Sequence, residues 1–329
     1  MNTELLSASD TTRAARYLKQ GKLVVIPTET VYGLGVRCDD PAGIDAVFIA
    51  KGRPQDNPLI VHVSSLEMAH RYAIVDSVAE RLFSCFSPGP LTLVLPARST
   101  VALNARAGLS TVAIRIPGHP VARTVIEQTD LGVAAPSANR SGRPSPTTAR
   151  AAYDEMQGRV SAVIDGGSCD LGIESTVAVL REGGPHILRP GRITRDDLHR
   201  CLDMSVREAA DVDASEQVLS PGTRHRHYSP DGNLCVVNGA GELSAHAPFD
   251  ETDALICISK AVASEFTAHG GRESHVQRAT DEQNYEHNLY EWFYWSERNG
   301  FRRLLVELPA GNARTVAIRD RILRAAGRV

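Results

Sequence analysis

Lys51 and Arg53 stand two residues apart, with Gly52 between them and Pro54 after them, so the backbone around them is rigidly shaped. A cation pair fixed in this way suits a phosphate or a carboxylate, with lysine as a point charge and arginine as a two-pronged donor. Cations at a helix exit can also simply complement its dipole. The loop before them favours a site. Thr28, Glu29 and Thr30 set hydroxyls and a carboxylate against a strand end, and Tyr32-Gly33-Leu34-Gly35 reads as a turn whose glycines let a ligand approach the backbone.

A second polar concentration lies in Gly132 to Thr148, GVAAPSANRSGRPSPTT. A short strand, Val133 to Ala135, runs into Ser137 and Asn139, and Arg140 and Arg143 add two cations. Such loops can be plain turn formers, but open α/β sheets bind ligands beyond strand ends. Thr147 and Thr148 open the next helix, whose first amides could take an anion. Arg115 shares one face of an alternating strand with Thr111 and Ala113, where it is a solvated charge or the floor of an anionic pocket. Ser175 and Thr176 open one further strand and Arg189 closes another. Glu29, Asp56, Asp165 and Glu174 are acid–base candidates, but no pair has a telling spacing. There is no G-x-S-x-G elbow, no Walker loop and no G-x-G-x-x-G.

These residues need strands and caps to hold them. Lys22 to Ile26 is a compact apolar run ended by proline, hence a strand. Asp40 and Pro41 supply an N-cap and a first-turn proline, Ile44, Val47 and Phe48 share one helix face, and Gly52 stops that helix. Pro58 to Val63 is a second strand and carries His62. Thr11 to Leu18 reads as a helix, Ser64 to Glu67 as a capping box opening a helix to about Ala73, and Phe86 to Pro90 as a rigid turn before the strand Leu91 to Leu95. Ala162 to Asp165, Ser175 to Leu180 and Ile187 to Arg189 complete the strands of this part. Further on, Leu234 to Val237, Ala254 to Ile258 and Leu304 to Leu308 alternate with helical Asn288 to Arg298 and Ala317 to Ala326, which predicts a small parallel α/β domain. Tyr290, Trp292, Phe293, Tyr294 and Trp295 read as core and interface.

The 329 residues suffice for two domains at about 100–200 residues each. A net charge of −3 argues against a protein coated in basic patches, so any nucleic-acid affinity must be local. Six cysteines, at 38, 85, 169, 201, 235 and 257, form no C-x-x-C pair, which predicts reduced thiols in a cytoplasmic protein. No apolar run reaches the roughly 20 residues of a membrane span, and the N-terminus lacks a signal-peptide core.

The set PTETVYGLG, KGRPQDNPLIVHV, SPGPLTLVL, AIRIPGH, APSANRSGRPSPT, ESTV and LRPG resembles the YrdC-type threonylcarbamoyl-AMP synthase family, over about residues 10–195. SPGTRHRHYSP, Ser220 to Pro230, is similar to the linker of its long members. The resemblance implies an N-terminal twisted mixed sheet with helices and a concave cleft (1–195), a linker reaching over the active site (196–231), and a smaller Rossmann-like parallel α/β domain (232–329). It implies condensation of L-threonine, bicarbonate and ATP to threonylcarbamoyl-AMP and pyrophosphate, with no covalent enzyme intermediate. The product would go to downstream transferases that modify the adenosine beside the tRNA anticodon. Lys51, Arg53, Ser137 and Asn139 match the family tetrad. By the same resemblance Thr30, His62, Arg115, Ser137 and Ser175 would hold threonine. Arg53, Asn57, Thr111, Asn139, Thr147, Arg189 and Tyr228 would hold ATP, with Mg2+ carried mainly on the ATP phosphates and no tightly bound organic cofactor. No membrane partner is expected, and RNA binding would be weak. Two other readings stand beside this one. A carbamoyl-transferring YrdC module, as in hydrogenase maturation, would come with zinc-finger cysteine pairs, which this chain lacks. A non-catalytic RNA-binding protein would have no need of the whole tetrad. Ser87 departs from the family's usual tryptophan and Thr223-Arg224-His225 from its usual linker, and His225 and His227 read as solvated rather than metal-bound.

Overall fold

Short, buried apolar runs make the strands, and capped segments make the helices between them. In this computed structural model, which describes residues 2–55, 57–208 and 228–328, the order begins β1 (Glu4–Leu6), α1 (Thr11–Lys19), β2 (Val24–Ile26), β3 (Gly33–Arg37), α2 (Pro41–Lys51) and β4 (Ile60–His62). It continues through α3 (Leu66–Ala69), α4 (Ser77–Phe86), β5 (Leu91–Pro96), β6 (Thr111–Arg115), α5 (Pro120–Thr129), β7 (Val133–Ala134), α6 (Ala149–Met156), β8 (Ala162–Ile164), β9 (Thr176–Arg181), β10 (Gly184–Arg189) and α7 (Arg195–Leu202). The caps act as the sequence predicts. The Asp40 side chain accepts from the Ala42 amide, and Gly52 closes α2 at φ 61°, in the left-handed region glycine adopts without strain. Ser65 caps α3, which spans only Leu66–Ala69 and so ends short of the expected Ala73.

Of the described residues, 2–141, 145–170 and 174–208 form one compact unit, and 142–144, 171–173 and 228–328 another. The first is a mixed sheet in the order β1-β8-β2-β3-β7-β4-β6-β5-β9-β10, packed on helices through a core that includes Leu18, Val25, Leu34, Phe48, Phe83 and Ile114. One expectation is overturned here. Gly33 to Gly35 is not a turn but the start of β3, antiparallel to β2 and β7. A Cβ on Gly35 would meet Val133 Cγ1 at 2.9 Å, so this glycine serves close packing of strand on strand rather than approach of a ligand.

A second expectation also fails. Cys85 and Cys201 are joined in a disulfide that ties α4 to α7 across a separation of 116 residues, beside a hydrogen bond from Arg81 Nε to the Cys201 carbonyl (2.6 Å). The pairing depends on two helices meeting in space, which cysteine spacing along the chain does not reveal. Cys38, Cys169, Cys235 and Cys257 are free thiols. Closing so long a loop restricts the unfolded chain by an amount worth about 2–4 kcal/mol. Denaturant titration should therefore show wild type losing about that much stability in reductant, while Cys201→Ser starts from the lower value and does not respond to reductant. Identical curves with and without reductant would show that the bridge contributes nothing.

The second unit is an all-parallel sheet in the order β11-β14-β12-β13, formed by β11 (Asn233–Val237), β12 (Asp253–Cys257), β13 (Val276–Arg278) and β14 (Arg303–Glu307). The Glu307 carboxylate accepts from the Ile258 and Ser259 amides, at the start of helix Lys260–Ala268. In nucleotide-binding α/β folds a phosphate takes that kind of position; here the protein's own carboxylate does. The aromatic cluster packs within helix Glu282–Arg298, with Tyr290, Phe293 and Tyr294 buried. Segment 142–144 is built into this unit: Arg143 pairs with Asp231 (2.7 Å) and Glu297 (2.6 Å), and Tyr294 Oη donates to the Pro144 carbonyl. Among the described residues no helix is long and apolar enough to cross a membrane.

Candidate active site

Arg115 ends β6 in the interior of the sheet, paired in register with His62 on β4 and with Thr92 on β5. It is 3% exposed, so it is not a solvated edge charge. Its Nη1 donates to Thr30 Oγ1 (2.8 Å) and its Nη2 lies 2.6 Å from Glu29 Oε1. The other oxygen of Glu29 accepts from the Gly118 amide at 2.9 Å. The hydroxyl network continues from Thr92 Oγ1 to Ser175 Oγ (2.8 Å), and Arg189 Nη2 donates to the same serine oxygen (3.1 Å) and to the Ser175 carbonyl (2.9 Å).

A second group forms at the end of α2. The buried Lys51 Nζ donates to the carbonyls of Ser137 and Asn139 and lies 3.5 Å from Asn139 Oδ1. The cation expected to face a ligand thus also pins the 137–139 loop, which is bridged to β3 through Gly33 and Ser137.

Burial sets the electrostatics. Desolvation, followed by the repulsion of Arg53, pushes the Lys51 amine well below its ordinary value. His62 is pushed down to about 3 by burial and by the Arg115 charge, so at neutral pH it is an uncharged imidazole. Burial alone would raise the Glu29 carboxyl, but the charge and hydrogen bond of Arg115 together with the Gly118 amide outweigh it and hold Glu29 below the usual carboxylate range.

The structure therefore joins Thr30, Glu29 and Arg115 in one polar group with His62 at its side, joins Thr92, Ser175 and Arg189 in a second that adjoins it through the Thr92–Arg115 register pair, and joins Lys51, Ser137 and Asn139 in a third. Arg53 is half-buried just after α2, with Nη2 3.5 Å from the Pro58 carbonyl. Asn57 is buried before β4, and Thr147 is buried beside the α6 cap. Thr111 opens β6, four residues from Arg115 and so about 13 Å along the strand. Tyr228 belongs to the second unit, its ring stacked on Tyr290 (5.5 Å) and facing the Arg321 guanidinium (5.5 Å). Asp56, the linker residues Thr223 to His225, and His227 lie outside the described residues.

Some expectations need correction. Arg140 and Arg143 do not add cations to one anion site: Arg140 bonds to Glu155 through its amide (3.0 Å) and Nε (3.1 Å), and Arg143 is paired within the second unit. Asp165 is a turn residue, its carboxylate accepting from the Gly167 amide at 2.9 Å. Two residues were undervalued. Glu29 carried no telling spacing, because its partner lies 86 positions on. Thr92 was not singled out, although a lone hydroxyl in the apolar run LTLVL was its signal.

The protein is thus an α/β fold that buries polar groups around Arg115 on β6 and around Lys51 at the end of α2. The chain belongs to the Sua5/YciO/YrdC family: the family model so named, described as telomere recombination, matches residues 16–191, and the model for the threonylcarbamoyl-AMP synthase C-terminal domain matches 193–327. Over 228 residues, 69% of this chain and 67% of its counterpart, it is 42% identical to the threonylcarbamoyl-AMP synthase of Pyrococcus abyssi. Over 249 residues, 74% of this chain and 72% of the other, it is 39% identical to the Bacillus subtilis protein of the same name. The crystal structure of P. abyssi Sua5 complexed with L-threonine superposes with a TM-score of 0.87 at 32% identity, covering 100% of this chain and 98% of that one.

Proposed function

We propose that the protein is an L-threonylcarbamoyladenylate synthase, an adenylyl-transferring enzyme that condenses L-threonine, bicarbonate and ATP to threonylcarbamoyl-AMP and pyrophosphate. The observation that carries this reading is the buried Thr30–Arg115 pair flanked by His62, Thr92 and Ser175, in a chain that superposes along its length on a threonine-bound relative. Arg115 takes the threonine carboxylate; Thr30, His62, Ser137 and Ser175 complete the amino-acid subsite. Arg53, Asn57, Thr111, Asn139, Thr147 and Arg189 hold the nucleotide, and Lys51 fixes the Ser137–Asn139 loop between the two ligands.

The reaction follows from this arrangement. Once the threonine ammonium has lost its proton, the free amine and bicarbonate give a carbamate with loss of water. A carbamate oxygen then attacks the α-phosphate, and pyrophosphate leaves with the electrons of the broken P–O bond. Charge gathers on phosphate oxygens, so positioning and fixed donors are the main means of catalysis. Mg2+ would be carried on the ATP phosphates, where it would offset their charge while keeping several of its own waters. Arg53 and the 137–139 loop would hold the phosphates that carry it. We place the reaction in the cytoplasm, with a tRNA threonylcarbamoyl transferase consuming the product.

Pyrophosphate release, measured with each of ATP, L-threonine and bicarbonate omitted in turn, tests the reading. Release that requires all three is expected. Release without threonine, or none with the full set, would overturn it.

A further inference from the structure

An α-amino acid in water is a zwitterion, so a buried subsite that discharges only its carboxylate leaves the ammonium desolvated and unpaired, at a large cost. Around Arg115 one carboxylate is already in position. Glu29 stands in the loop after β2, and that loop is fixed by its own threonine: Thr28 Oγ1 accepts from the amides of Thr30 and Val31 (both 3.2 Å) and donates to the Val31 carbonyl (2.6 Å). One Glu29 oxygen is held by the Gly118 amide at 2.9 Å. A Cβ on Gly118 would lie 3.3 Å from the Glu29 carboxyl carbon, a tight contact that would press on the carboxylate. The other oxygen, Oε1, is buried and ion-paired with Arg115 Nη2 at 2.6 Å; an ionised carboxylate has about four lone-pair sites, so it can take a further donor beside that contact. His62 Nδ1 is a buried polar atom nearby that makes no hydrogen bond among the described residues.

We propose that Glu29 is the ammonium acceptor of the amino-acid subsite, so that Arg115 and Glu29 read the two ends of the zwitterion together: guanidinium to carboxylate, carboxylate to ammonium. This rests on the reading of the site as a threonine subsite. Two observations support the division of labour. The neutral imidazole of His62 brings no further charge to the pair. Because Arg115 keeps Glu29 ionised, the acceptor carries its full charge throughout the neutral range. The other buried carboxylate near Ser175, that of Glu174, is engaged by Ser145 Oγ at 2.5 Å.

Calorimetric titration without ATP tests the proposal, using L-threonine and its deaminated analogue 2,3-dihydroxybutyrate, which keeps the carboxylate and both carbon substituents but replaces ammonium by hydroxyl. Wild type should prefer threonine by about 10- to 100-fold, the scale of one charge-assisted hydrogen bond. In Glu29→Gln, whose amide oxygen can still accept from Gly118, the preference should fall to within about threefold. Equal binding of the two ligands by wild type overturns the proposal. So does a Glu29→Gln protein that loses the same factor for both, since that result belongs to a residue that only positions Arg115. Should Glu29→Gln not fold, Glu29→Asp, which keeps the charge but withdraws it by one methylene, is read by the same ratio, and an unchanged preference counts against the proposal. Wild type that binds no threonine at all overturns the threonine reading itself, a result distinct from loss of the ratio alone.

Discussion

Replacing Arg115 with alanine is expected to abolish measurable threonine binding and to destabilise the protein by about 3–5 kcal/mol at pH 7, the usual consequence of removing one partner of a buried ion pair. Glu29 is the reason for the second effect. In wild type its carboxyl is held below the usual range, so its contribution to stability is present above its unfolded value of 4.5 and is lost as pH falls through its lower folded value. Without the guanidinium, burial, the largest influence on Glu29, is opposed only by the backbone amides of Glu29 and Gly118, and it should raise the folded value above the unfolded one. The sign then reverses: the variant gains stability as pH falls from 7 toward 5, and its deficit against wild type narrows. Urea titrations at the two pH values give the comparison. Adding Glu29→Gln to the variant should recover part of the loss at pH 7, because no uncompensated buried charge is left. A deficit that is the same at pH 7 and pH 5, unchanged in the double variant, would show that the pair is not coupled.

How far the site could be read from sequence follows from how local each signal was. The α2 end was legible because Asp40, Pro41, Gly52, Lys51 and Arg53 lie within one short stretch and each has a backbone reason for its place. The strands carrying His62 and Arg115 were legible as apolar or alternating runs. Their adjacency was not: β4 and β6 are neighbours only because the chain returns after β5 and inserts β6 between β4 and β5. That insertion sets Arg115 between His62 and Thr92, and no spacing along the chain encodes it. The same holds for Glu29, which looked like one acid among several until Gly118 and Arg115 came to it across the fold. Local signals also misled. The glycines of β3 suggested a turn because glycine is common in turns, yet Gly35 is there for sheet packing against Val133. Arg140 and Arg143 looked like one cationic loop, yet Glu155 takes the first and Glu297 with Asp231 the second.

Lys51→Met should separate the two halves of the site. Methionine keeps the length and the apolar packing of the lysine stem but removes every donor, leaving the Ser137 and Asn139 carbonyls without the bonds that Nζ now makes. An unsatisfied buried acceptor costs about 1–3 kcal/mol, so two of them displace the loop or weaken the fold by several kcal/mol. Pyrophosphate release should fall by at least about 100-fold, the rate equivalent of roughly 2.7 kcal/mol. Threonine affinity, centred on Arg115, should stay within about tenfold of wild type. The amine also leaves a pH signature. Its folded value lies well below the ordinary 10.5, so between the two values the unfolded chain binds more protons than the folded one, and stability rises with pH through that window. Wild type should therefore gain on Lys51→Met as pH is raised from 7 toward 10. If Lys51→Met turns over within tenfold of wild type, the loop it pins is not part of the active site. If threonine affinity falls as far as turnover, the two groups are one unit and the separation argued from their contacts is wrong.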